Sequence, residues 1–190
     1  VAVAQPRRRR RWLAAAAVLA LLAVAAALIA VFALRSSGTE ATSEDPGMRA
    51  FVSRVETILE QSATARRSIG KTISRGFSCE ISPGVAHSRM VKVVDERRKV
   101  LARVSRITAV PPEAQRAKTR LETAINDSID ADILYRSGFG SATGCPPQSE
   151  YFKGAADADA VATRAKRRFV AAFNRLARRV GLTTWSASEI

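Results

Sequence analysis

Apolar and polar positions divide the chain into two regimes. From Trp12 to Leu34 run 23 consecutive residues without charge, Gly, Pro or hydroxyl. As a helix this stretch rises about 34 Å, enough to cross a hydrocarbon layer of about 30 Å. From Asp45 onward the apolar residues instead recur every three or four positions, the spacing of one helical face.

Four such stripes follow one another. Asp45-Pro46 reads as an N-cap with proline in the first turn. Phe51, Val55, Ile58/Leu59, Ala65, Ile69 and Ile73 then mark a helix ending near Arg75. Ser82-Pro83 repeats the start signal, and Met90, Val93/Val94, Val100/Leu101, Val104 and Ile107 carry a second helix toward Pro111, with Asp95, Arg98 and Arg103 on its other side. Pro111-Pro112-Glu113 opens a third helix, striped by Ala114, Ala117, Leu121, Ala124/Ile125, Ser128/Ile129 and Ile133. Arg136-Ser137-Gly138-Phe139-Gly140 is expected to end it in a flexible loop. A fourth begins near Ser149, is striped by Phe152, Ala155, Ala158, Ala162, Ala165, Phe169, Ala172/Phe173, Leu176 and Val180, and stops at Gly181. No segment has the alternation of a strand.

Four amphipathic helices with short connections bury their stripes against one another, and short loops make neighbours antiparallel. The expectation is an all-α chain: a single N-terminal transmembrane helix followed by an antiparallel, up-down-up-down four-helix bundle. Its divisions are a basic tail 1–11, a transmembrane helix 12–34, a linker 35–45, a bundle 46–181 and a tail 182–190. In that topology the first and third helix–helix connections share the end remote from the linker. Cys79 and Cys145 fall in those two connections, so a Cys79–Cys145 disulfide is expected there.

Charge sets the orientation. Arg7 to Arg11 precede the apolar segment, and Arg35 and then a polar run with Glu40, Glu44 and Asp45 follow it, a balance expected to place the N-terminus in the cytoplasm and the bulk of the chain outside, in a single pass of the plasma membrane. The segment exceeds a secretory apolar core of about 7–15 residues, which favours a retained signal-anchor. Arg outnumbers Lys 25 to 6, a composition that resembles those of GC-rich bacteria, so the compartment is a bacterial cell envelope. An even cysteine pair there is expected to be oxidised.

From residue 35 onward 26 basic residues face 17 acidic ones, a net charge of +9. Outside the cytoplasm the polyanions are anionic lipid and wall polymer rather than nucleic acid. The linker end of the bundle should collect Arg103, Arg106, Arg116, Lys118, Arg120, Arg175, Arg178 and Arg179, with Trp185 close to the interface. The far end gathers Phe77, Tyr135, Phe139, Tyr151 and Phe152. Two readings stand for these rings: an exposed surface for an unknown envelope protein, or a plug closing the bundle beside the disulfide.

Catalytic chemistry is hard to find. There is one histidine, His87, and no nucleophile turn, phosphate-binding glycine loop or metal-binding spacing, so no cofactor, no metal and no enzyme activity are expected. Asp127, Asp130 and Asp132 cluster in the third helix; the spacing sets Asp132 off the face of the other two, and all three read as solvated. The function expected is a non-enzymatic interaction or scaffold module. Two alternatives are a ligand-sensing bundle, similar in architecture to bacterial chemoreceptor sensor domains, and a basic nucleic-acid-binding protein if the topology is inverted.

Overall fold

A computed structural model describes residues Asp45–Ile190, apart from the side chains at 63–65. The arginine-rich tail, the apolar segment 12–34 and the linker up to residue 44 lie outside the described residues. Among the described residues no helix is long and apolar enough to cross a membrane.

The described chain is all-helical, with four helices: α1 (Pro46–Phe77), α2 (Pro83–Ser105), α3 (Gln115–Ser141) and α4 (Tyr151–Arg179). The start signals act as their chemistry dictates. The Asp45 carboxylate accepts from the backbone N–H groups of Gly47 and Met48 at 3.0 and 3.1 Å, with Pro46 opening the first turn. The Ser82 hydroxyl oxygen accepts from Val85 N–H at 3.4 Å, ahead of Pro83. At the other end of the chain Gly181 takes φ +66°. Its N–H bonds Arg178 C=O while Leu182 N–H bonds Ala177 C=O, the paired closure that glycine permits after a helix.

Two boundaries differ from expectation. α2 stops at Ser105 rather than running to Pro111, although Ile107 stays buried in the extended connection. An apolar residue thus prolonged the stripe past the end of the helix. A short 3-10 turn, Pro112–Ala114, leads into α3. α3 itself continues straight through Gly138-Phe139-Gly140 to Ser141.

Contacts along the helices fix their directions. Gly47 lies against Pro111, and Gly76 against Ala86, so α1 and α2 run oppositely. His87 meets Arg136 and Ser105 meets Glu122, which sets α3 against α2. Gly138 meets Phe152 and Arg120 meets the Arg168 carbonyl, which sets α4 against α3.

The apolar interior falls into two clusters. The larger holds Met48 to Leu59 of α1, Val94 to Val104 of α2, Ala117 to Ile129 of α3 and Phe169 to Ala177 of α4. The smaller holds Ile69, Ile81, Ala86, Met90, Val93 and Phe139. The tail is not free: Ile190 is buried in the larger cluster. The Asn174 side-chain amide clamps the backbone of Trp185 by two hydrogen bonds of 2.8 and 3.0 Å. Trp185 is half-buried against that cluster, so it is part of the bundle's packing rather than an unattached interfacial ring.

Candidate functional site

Three places in the bundle gather chemistry, and the sequence signalled two of them. The first is the end holding the cysteines. Cys79 and Cys145 form a disulfide with Cα atoms 5.8 Å apart, closing a separation of 66 residues. Both cysteines are exposed, and Cys79 holds a left-handed backbone at φ 64°. Beside the bridge the expected aromatic residues do assemble. Phe77, Phe139 and Phe152 form a triangle of rings with centroids 4.7 to 5.4 Å apart, and Tyr135 packs at 6.5 Å from Phe152.

Their exposure differs from ring to ring. Phe139 is 1% exposed and sits inside a helix, which corrects its assignment to a flexible surface loop. Phe77 and Tyr151 face solvent, and Phe152 and Tyr135 are half-buried. The glycines that suggested a loop serve another purpose. A Cβ at Gly76 would come within 2.6 Å of the Phe139 ring, one at Gly138 within 2.5 Å of Phe152, and one at Gly140 within 2.7 Å of His87. These residues are small so that rings can cross the helices, and α3 tolerates the intrinsic cost of glycine in exchange for that packing. His87 Nδ1–H donates to the Arg136 carbonyl at 2.9 Å and ties α2 to α3.

The second place was missed in the sequence. Arg97, Asp132 and Lys166 enter the interior from α2, α3 and α4. On α1, α3 and α4 the charged positions Arg66, Asp132 and Lys166 fall between the two apolar clusters, and Arg97 follows the switch from one to the other at Val93/Val94. Arg97 Nε lies 2.7 Å from Asp132 Oδ2, with side-chain exposures of 11% and 5%. The N–H is not aligned on the oxygen, so the contact is an ion pair rather than a hydrogen bond. Lys166 is 5% exposed.

Burial dominates the electrostatics of this layer. It pushes the Asp132 carboxyl up to about 6, against the pull of Arg97 and Lys166, while Asp159 adds to the rise. It brings the Lys166 ammonium down to about 8, helped by Arg97 and Arg66 and opposed by Asp159 and Asp132. Arg97 is lowered by the same desolvation, and the Tyr135 phenol is raised by burial and then by Asp159 and Asp132. Asp132 is therefore not on a solvated face, which corrects its sequence reading. Asp127 is half-buried and Asp130 exposed; among the described residues no three His, Cys, Asp or Glu side chains gather as a metal set.

The third place is the end where α1 begins, α2 joins α3 and α4 ends. Of the eight basic residues expected there, Arg116, Arg175 and Arg179 converge on one groove of about 510 Å³ between α3 and α4. The buried Ala117, Ala172 and Leu176 and the exposed Glu113 also line it. The others are spent elsewhere or apart. Arg103 bonds the Gln61 side chain, Lys118 pairs with Glu122 at 3.0 Å and Arg120 donates to the Arg168 carbonyl at 3.2 Å. Arg106 and Arg178 are exposed outside the groove.

Comparison with family models, characterised proteins and solved structures finds no match to this chain.

Proposed function

We propose that the chain is a membrane-anchored, extracytoplasmic interaction module of a bacterial cell envelope, without enzymatic activity. In this reading residues 12–34 span the plasma membrane with the arginine-rich tail inside, residues 35–45 link, and residues 46–181 stand outside as an up-down-up-down bundle. The observation that carries it is the Cys79–Cys145 bridge. It ties two connections at the end remote from Asp45, and an exposed disulfide persists in oxidising compartments outside the cytoplasm. The apolar segment, with five arginines before it against the single Arg35 directly after it, supports the same side by a separate argument.

The partner surface in this reading is the bridged end, where Phe77 and Tyr151 are exposed large hydrophobic residues over the half-buried Phe152 and Tyr135. Aromatic side chains on a covalently braced surface lose little entropy on binding, which suits them as anchors for an envelope protein. Phe139 stays in the interior and supports the surface from below.

A full-length fusion carrying an export-dependent reporter at the C-terminus, paired with a cytoplasm-dependent one, tests the reading. Activity of the export-dependent reporter alone is expected. Activity of the cytoplasmic reporter alone would refute the orientation and favour the nucleic-acid alternative for so basic a chain.

A further inference from the structure

The side chains of Arg116, Arg175 and Arg179 have no hydrogen bond or ion pair among the described residues. This sets them apart from Arg103, Lys118 and Arg120, which are held by intramolecular partners. Three guanidinium groups lining one concavity repel one another, and only Glu113 on the same groove opposes them. Such an arrangement is relieved by an anion, and the planar fork of arginine matches phosphate oxygens two at a time.

The apolar lining narrows the class of anion. Ala117, Ala172 and Leu176 are nearly buried and apolar, so the groove couples an arginine rim to a small hydrocarbon bed. A bare inorganic anion uses only the rim; an amphiphile with a phosphate ester uses both. The start of α3 borders the groove through Pro112, Glu113, Arg116 and Ala117, so its peptide dipoles add a weak attraction, while the Ala114 and Gln115 N–H groups are already held by the Pro111 and Pro112 carbonyls. The position fits as well. Gly47 lies against Pro111, so the described chain begins at this end, next in sequence to the linker and the apolar segment.

We propose that this groove binds the phosphodiester headgroup of an anionic phospholipid, with Arg116, Arg175 and Arg179 on the phosphate and Ala117, Ala172 and Leu176 under the glycerol. The choice of lipid over a free anion rests on the membrane-anchored reading given above; the binding itself does not depend on which side of the membrane the bundle occupies.

The test uses the full-length chain in neutral maltoside micelles, titrated calorimetrically with dihexanoyl-phosphatidylglycerol, dihexanoyl-phosphatidylcholine or inorganic phosphate. Saturable binding of the phosphatidylglycerol is expected, weakened at least tenfold in the triple variant Arg116→Gln, Arg175→Gln, Arg179→Gln. Removing the same charge from exposed positions elsewhere, by Arg89→Gln, Arg164→Gln and Arg167→Gln, should leave affinity within about threefold. A single charge reversal, Arg175→Glu, should act like the triple variant. The proposal is overturned by no phosphatidylglycerol binding, by equal weakening in the two triple variants, or by inorganic phosphate binding where the lipid does not. Because no topology enters this titration, a wrong membrane orientation would show in the reporter fusions and not here.

Discussion

Arg97 Nε and Asp132 Oδ2 stand 2.7 Å apart in the interior, joining α2 to α3 at a level where the apolar core is interrupted. Desolvating two charges offsets most of their attraction, so the pair fixes the register of the helices more than it stabilises them. Breaking it is another matter, because one partner is left buried and uncompensated. Arg97→Leu is expected to cost about 3–5 kcal/mol in denaturant unfolding. The double variant Arg97→Leu, Asp132→Leu should regain more than half of that loss. Additive losses in the two single variants would mean that the residues are not coupled.

The same layer gives stability an unusual pH profile. Asp132 titrates near 6 when folded against an ordinary 3.8, so between those values the folded state holds a proton that the unfolded chain has released. Its contribution is complete below the lower value and is lost as pH rises through about 6. Lys166 titrates near 8 when folded against 10.5, so between these values the unfolded chain holds the extra proton, and stability rises with pH. The two together make a trough between about pH 6 and 8. Unfolding measured across pH should lose its falling acid limb in Asp132→Asn and its rising alkaline limb in Lys166→Met, relative to wild type. Parallel profiles for wild type and both variants would show that these groups are solvated.

Glycine in α1 and α3 makes room for rings. Gly76→Ala and Gly138→Ala, which ordinarily favour a helix by about 1 kcal/mol, should here destabilise by about 1–3 kcal/mol, since each Cβ meets an aromatic ring inside 2.7 Å. Gly70→Ala, where a Cβ meets nothing within 4 Å, serves as the control and should be neutral or stabilising. Thermal unfolding of the three variants decides; a stabilised Gly138→Ala would show that the ring does not cross there.

Closing 66 residues of chain restricts the unfolded ensemble by about 4 kcal/mol on the chain-entropy account. Reduction, or the double change Cys79→Ser, Cys145→Ser, should lower unfolding stability toward that extent while leaving far-UV helicity intact. No loss on reduction would mean that the bridged loops are already held by Phe77, Phe139 and Phe152.

The apolar spacing made the four helices legible because each stripe supplies a face that only another helix can cover. The caps at Asp45 and Ser82 and the stop at Gly181 followed from local chemistry, and the pairing of the cysteines from the topology that brings the first and third connections to one end. Phe139 was misplaced because flanking glycines carry two meanings, backbone freedom and lack of bulk, and only the neighbouring rings distinguish them. The charged layer was missed for a different reason. Asp132 follows Ser128 by four and Ile129 by three; Lys166 follows Ala162 by four and precedes Phe169 by three; Arg97 lies between Val93/Val94 and Val100/Leu101 at the same intervals. All three stand on the core stripes and the spacing pointed inward, but Asp132 was read as solvated because of its charge, and Arg97 and Lys166 were not singled out. Arg116, Arg175 and Arg179 were legible as basic residues at one end, whereas their convergence on one groove depends on the crossing of α3 and α4, which no local pattern encodes.

The account depends most on the bundle having folded in an oxidising compartment with its first and third connections together. Intact cells can be quenched with a thiol-blocking reagent and the full-length protein mapped by mass spectrometry without reduction. The account predicts a peptide pair joined through Cys79 and Cys145 as the dominant species. Two blocked, unlinked cysteines in protein from undisturbed cells would contradict it.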